Sequence, residues 1–168
     1  MLDLYNMENY RKRLEEYKIE DEKDTYIFRV NKRYVISSSI FFIMLLFVAL
    51  YSLYKGLVGI ETLTLFKIIL ISALIIYVSV SAWILFSYKI IIKNNFILSG
   101  KTQINMSEIK IATVKVDRVG GKRFDRCLEI ITKDKRKIKY RLNIGKDLLF
   151  LKIIQNKIGN KLSVEVIK

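Results

Sequence analysis

Two stretches of 21 residues carry no charged side chain: YVISSSIFFIMLLFVALYSLY (34–54) and IILISALIIYVSVSAWILFSY (68–88). An α-helix rises about 1.5 Å per residue, so about 20 apolar residues cross the hydrocarbon core of a bilayer. A soluble helix of that length keeps a polar face. These two are apolar all round, which predicts a pair of membrane spans. Tyr51, Tyr54, Trp83 and Tyr88 lie near the span ends, where amphipathic rings favour the interface. A secretory signal fits poorly: the first stretch begins late, is too long, and shows no small-residue cleavage pattern.

The link KGLVGIETLTLFK (55–67) is short enough to predict an antiparallel helical hairpin. Neither span holds an ionisable side chain, which argues against a proton relay or a charge-lined pore made by one copy. Ser37, Ser38, Ser39, Ser72, Ala73, Ser79, Ser81 and Ala82 are small or weakly polar and suit close helix packing.

Charge is distributed unevenly around these spans. Residues 1–34 hold eight Lys/Arg and eight Asp/Glu, whereas 88–168 hold twenty Lys/Arg against seven Asp/Glu, a net of +13. The link contributes only Lys55, Lys67 and Glu61. The positive-inside rule then predicts a two-pass protein of a bacterial inner membrane with both termini in the cytoplasm. The organisation expected is a cytoplasmic amphipathic helix and short strand over 1–33, spans at 34–54 and 68–88, an extracytoplasmic loop at 55–67, and a basic cytoplasmic domain over 89–168.

Before the first span, Met7, Tyr10, Leu14 and Tyr17 form one apolar helical stripe. Its polar side mixes both signs, unlike the cationic face of a surface-binding helix, so docking on the cytoplasmic domain or on another copy is expected. TYIFRV (25–30) alternates as a short strand suited to the C-terminal sheet.

After the second span the period becomes two. YKIIIKN and NFILSG flank Asn94-Asn95, a pair that tolerates left-handed turn conformations. In EIKIATVKVD the apolar phase slips near Ala112-Thr113, which predicts a β-bulge there. CLEIIT and KIKYRL are joined by a polar turn over 133–136. In the second of these, Ile138, Tyr140 and Leu142 point inward, while Lys137, Lys139 and Arg141 form a fully cationic outer face. KDLLFLKIIQNKI is helical, with Leu148, Leu151, Ile154 and Ile158 on one side, Asn143 or Gly145 near its start and Gly159 past its end. LSVEVI suits a last strand.

The fold class expected is a membrane α-helical hairpin plus an α+β cytoplasmic domain. On the segments YKIIIKNNFIL, INMSEIKIATVKV, LEIITKDKRKIKYRL and KDLLFLKIIQNKIG, the chain resembles small bacterial membrane proteins with a pleckstrin-homology (PH)-like domain, the YcxB-like and bacterial PH-domain groups. The likeness covers roughly residues 25 to 158 and lies in the order of elements. It implies an antiparallel curved sheet or open barrel capped by a C-terminal helix, and a membrane address. It implies no catalytic residues.

The chemistry-bearing residues narrow the function classes. The chain has no histidine, which excludes histidine acid–base catalysis and the common zinc sites. Cys127 is the single cysteine, so no internal disulfide forms, and no histidine activates it. Glu108, Asp117, Asp125, Glu129, Asp134 and Asp147 are scattered rather than paired by spacing. No enzyme, cofactor or metal site is expected. Gly120-Gly121-Lys122-Arg123 lacks the remaining glycine and the Ser/Thr of a phosphate-binding loop, and reads as a hairpin tip. Arg118, Lys122, Arg123 and Arg126 around that tip, with Lys137, Lys139 and Arg141, are the candidate anion-contacting residues. Beyond the bilayer itself, the partners this suggests are acidic phospholipid headgroups, a protein, or further copies of the chain. Nucleic acid fits less well, because no aromatics interleave with the cations for base stacking. The role expected is membrane-anchored binding or scaffolding; the alternative is a small oligomeric pore-forming or membrane-damaging effector.

Overall fold

The structure is a computed structural model that describes residues 6–20, 23–120 and 123–165, without the side chain at 123. The chain divides into two compact units. One combines Met1–Arg29 with Lys89–Lys168; the other is Val30–Tyr88.

The second unit is the hairpin. Helix α2 spans Lys32–Leu57 and α3 spans Leu65–Ser87, both long and apolar enough to cross a membrane. Asn31 caps α2 through its side chain, which accepts from the Arg33 amide at 2.9 Å, and Thr64 caps α3. Because α2 runs three residues past the uncharged stretch, the connection is shorter than the sequence suggests. There Glu61 bridges Lys55 and Lys67 at 3.1 and 3.3 Å. Ala49, Ile71 and Val78 are the buried side chains of this unit, and they mark the seam between the helices. Ser79 faces outward and donates to the Ile75 carbonyl at 2.8 Å, so an apolar surrounding leaves its hydroxyl satisfied.

The first unit is built from both flanks of that hairpin. Strand β1 (Thr25–Arg29) pairs antiparallel with β2 (Lys89–Lys93), in register from Thr25↔Lys93 to Arg29↔Lys89. The entire connection Val30–Tyr88 is therefore inserted between two neighbouring strands. Strands β3 (Phe96–Ser99) and β4 (Thr102–Asn105) complete a sheet of order β1-β2-β3-β4. Asn94 takes a positive φ of 53° at the β2–β3 turn, a conformation asparagine tolerates.

The second sheet has the order β7-β6-β5-β8, from β5 (Ile109–Gly120), β6 (Arg123–Thr132), β7 (Lys137–Arg141) and β8 (Leu162–Val164). Strand β8 runs parallel to β5, so this sheet is mixed rather than purely antiparallel. Helix α4 (Asp147–Ile158) carries the chain back to the free edge of β5, and that return fixes the direction. The bulge lies at Lys110, not at Ala112-Thr113, with a second irregularity before Gly120. One skipped residue turns both Ile109 and Ala112 inward and leaves Ile111 43% exposed. The pattern implies a slip; pairing with β6 decides its place.

Inward residues of both sheets, among them Phe28, Ile90, Ile92, Ile97, Ile104, Val114, Leu128 and Ile130, are buried with Phe150, Leu151 and Ile154 of α4. Phe28 meets Phe150 edge to face at 5.1 Å between ring centres. Neither Asn143 nor Gly145 caps α4. Lys146 occupies the position before the first turn in the left-handed conformation, without a side-chain capping bond, while the Gly145 amide donates to the Arg29 carbonyl at 2.9 Å.

Helix α1 (Met7–Glu16) lays its buried Met7, Tyr10 and Leu14 on this core, in contact with α4. The Tyr10 hydroxyl donates to Asp147 at 2.6 Å, and Lys152 donates to the Leu14 and Glu15 carbonyls at the helix C-terminus. Replacing Phe28 with alanine should cost about 3–5 kcal/mol. Ile27→Ala, on the exposed face of the same strand, should cost less than about 1 kcal/mol. Urea unfolding of the full chain in mild detergent checks the contrast.

Candidate functional site

The outer face of the β5–β7 sheet gathers most of the charged residues that the sequence singles out. From β7 come Lys137, Lys139 and Arg141; from β6 come Asp125, Cys127 and Glu129; from β5 come Lys115 and Asp117. In register, Lys139 stands opposite Glu129, Arg141 opposite Cys127, and Asp117 opposite Asp125. The last pair is a like-charge apposition, which alone would be unfavourable. It is relieved on the diagonal: Lys139 reaches Asp117 at 2.6 Å and Arg141 reaches Asp125 at 3.3 Å.

Glu129 is the centre of the array. It is only 8% exposed, and Lys115 and Lys137 approach one of its carboxylate oxygens at 2.9 and 3.1 Å. The face read along β7 alone as fully cationic is, across three strands, a ladder of alternating sign. An incoming anion would compete there with three carboxylates. The more exposed pairs, Lys139–Asp117 and Arg141–Asp125, contribute little stability, but they fix where charge resides.

The remaining candidates separate. Arg118 is exposed near the β5–β6 tip, and its amide donates to the Asp117 carboxylate at 2.7 Å. Lys122 and Gly121 lie outside the described residues, as does the side chain of Arg123. Arg126 is half-buried, with its guanidinium 4.4 Å from the centre of the Tyr10 ring. That stacking fastens α1 to the sheet, so Arg126 belongs to the fold's interior contacts rather than to an outward cluster.

Burial pushes the Cys127 thiol above its ordinary range, and the side chain is fully enclosed. A neutral, inaccessible thiol is a poor nucleophile. Among the described residues no three His, Cys, Asp or Glu side chains converge as metal ligands. A cleft of about 310 Å³ opens beside β1 and the start of α4, lined among others by Tyr17, Glu20, Lys23, Tyr26, Ile27 and Leu149. Among the described residues it brings together no pair of carboxylates for acid–base work.

The β1–β4 sheet presents the opposite electrostatic case. Its strands TYIFR, KIIIK, FILS and TQIN contain no acidic residue. Opposed residues of an antiparallel pair share a face, so Ile27, Ile91, Leu98 and Gln103 form one outward row. Arg29 and Lys89 flank it on one side, and Lys93 and Phe96 on the other. Sequence reasoning passed over these residues because Arg29 and Lys89 are far apart in the chain. KIIIK, with lysines at both outward ends and no acid, was the available signal.

No protein-family description, curated protein or solved structure matches the chain. The assignment of a role therefore rests on the geometry above.

The ladder makes a prediction about acid. Although burial opposes ionisation of Glu129, Lys115 and Lys137 hold its carboxyl below the ordinary 4.5; Lys139 does the same for Asp117 below 3.8. Groups depressed in the fold contribute stability that is complete above the unfolded values and lost as pH falls through the folded ones. Urea midpoints of the full chain should therefore hold near neutrality and fall below about pH 4.5. Glu129→Gln should lower the midpoint at pH 7 and flatten the acid limb.

Proposed function

We propose that the chain is a non-enzymatic, membrane-anchored binding or scaffolding protein whose basic cytoplasmic unit contacts acidic lipid headgroups, a protein partner or further copies of itself. The carrying observation is the pairing of β1 with β2 around the inserted hairpin. If α2 and α3 both cross the bilayer, a unit assembled from both flanks must lie on one side of it. The charge count then favours the cytoplasmic side, because the connection carries two lysines and the flanks carry the rest. An anchored unit held beside a leaflet needs no catalytic centre to be useful; its position is its function.

Two sheets closed by a C-terminal helix also support the PH-like reading of the domain. The parallel β8 and the N-terminal helix on α4 are additions to that plan. A closed cleft with convergent acids would favour an enzyme, and the described residues offer none. The pore alternative would use the Ser and Ala of the spans for contacts between copies, of which Ser37, Ser72, Ala73 and Ser79 are exposed.

Native mass spectrometry of the full chain extracted in mild detergent tests the reading. Retention of acidic phospholipid, a stoichiometric protein or a second copy is the expected outcome. A bare monomer with no lipid preference would overturn it. Reporters fused to either end should be active only in the cytoplasm.

A further inference from the structure

We propose that the acid-free outer face of the β1–β4 sheet, with Arg29, Lys89 and Lys93 around the Ile27–Ile91–Leu98 row, is the surface that docks on the anionic cytoplasmic leaflet. The inference deepens the binding reading above and rests on it. It also moves the contact away from the residues that the sequence favours.

Three observations carry it. The first is charge. Among the described residues, no ion pair engages Arg29, Lys89 or Lys93, whereas Lys115, Lys137, Lys139 and Arg141 are all committed to carboxylates. The four strands themselves carry no acid; the nearest described carboxylates are Glu20, which lines the same cleft as Ile27, and Asp24 just before β1.

The second is chemistry. Ile27 is 57% exposed, and Ile91, Leu98 and Phe96 are half-buried on the same face. An aliphatic row between cations matches the boundary of a leaflet, where apolar side chains enter and amines meet phosphates. A soluble acidic partner would be served by the cations alone and would leave Ile27 wet.

The third is covalent reach. Arg29 lies three residues before α2, and Lys89 follows α3 after a single residue, Tyr88. Chain so short keeps Arg29 and Lys89 within about 10 Å of the points where the long helices begin and end. Attraction to an acidic surface falls off within a Debye length of about 8 Å, so the cations next to the spans feel it most.

The test uses the full chain in lipid nanodiscs of phosphatidylcholine, with or without phosphatidylglycerol, containing headgroup-nitroxide lipid as quencher. A fluorophore is placed by Ile27→Cys on the proposed face, or by Ser163→Cys on the exposed face of the other sheet; Cys127 is buried and stays unlabelled. Quenching at position 27 should rise in the anionic discs, fall with salt, and weaken by about fivefold in the docking equilibrium for each of K89Q and K93Q. The label at 163 should not respond. No rise at position 27, or a rise untouched by K89Q and K93Q, overturns the proposal.

The pattern of failure separates the two readings. Quenching at 163 instead of 27 keeps lipid binding and refutes this face. Cross-linking of two chains through Cys at 27, or protection by a co-purified protein, refutes lipid docking and keeps a binding role. Silence of both labels, with no retained lipid, protein or second copy, overturns both.

Discussion

The antiparallel pairing of β1 with β2 is the contact on which the architecture depends. It ties residues just before the first span to residues just after the second, with Arg29 opposite Lys89. In a soluble hairpin such strands would be joined by a few residues, because closing a longer loop costs entropy. Here the inserted connection is itself an antiparallel pair of helices, which returns the chain to the side it left. The sheet is thus closed by structured chain rather than by a random loop. Phe28 then anchors β1 against Phe150, and the Arg29 carbonyl receives the Gly145 amide at the start of α4. Strand, helix and turn all depend on that one register.

The same dependence extends to α1. Its stripe of Met7, Tyr10 and Leu14 needs an apolar surface, and α4 supplies it. Tyr10 reaches Asp147 and lies under Arg126, while Lys152 closes the last turn. Residues before the first long helix are therefore not an independent tail. A fragment beginning at residue 88 would lack β1 and α1, and would expose the inner edge of β2 and one side of α4. The folding unit is discontinuous in sequence, and its boundaries lie at Arg29 and Lys89.

Much of this was legible locally. Uncharged length identifies the two long helices, period-two alternation identifies β2, β3 and β7, and Asn94-Asn95 marks its turn. What remained hidden depends on partners distant in the chain. Strand β4 is four residues long, and TQIN has too little alternation to stand out. The bulge at Lys110 is placed by β6, and the direction of β8 by the path of α4. Above all, the outward cations of β7 look free when read along one strand. Their carboxylate partners lie on β5 and β6, and only cross-strand register brings them together. Counting charge along one strand leaves out the carboxylates that alternate with those cations across the sheet.

On the lipid-docking proposal, that pairing bears on how so basic a unit would be held beside a membrane without being fixed to it. A cation near an acidic leaflet is worth about 1 kcal/mol, so three of them would hold a free protein weakly. Anchoring changes the comparison, since binding becomes intramolecular and the effective concentration of headgroups is set by the few residues between sheet and span. Weak contacts then suffice to populate a docked state, yet remain weak enough to yield to salt or to a change in lipid. Had Lys137, Lys139 and Arg141 also been unpaired on the opposite sheet, two faces would compete for the leaflet and neither orientation would be specified. Their pairing with Asp117, Asp125 and Glu129 would remove that ambiguity. If the leaflet is the partner, the carboxylates of the ladder would give the unit a direction, occupying one basic face and leaving the acid-free strands to respond.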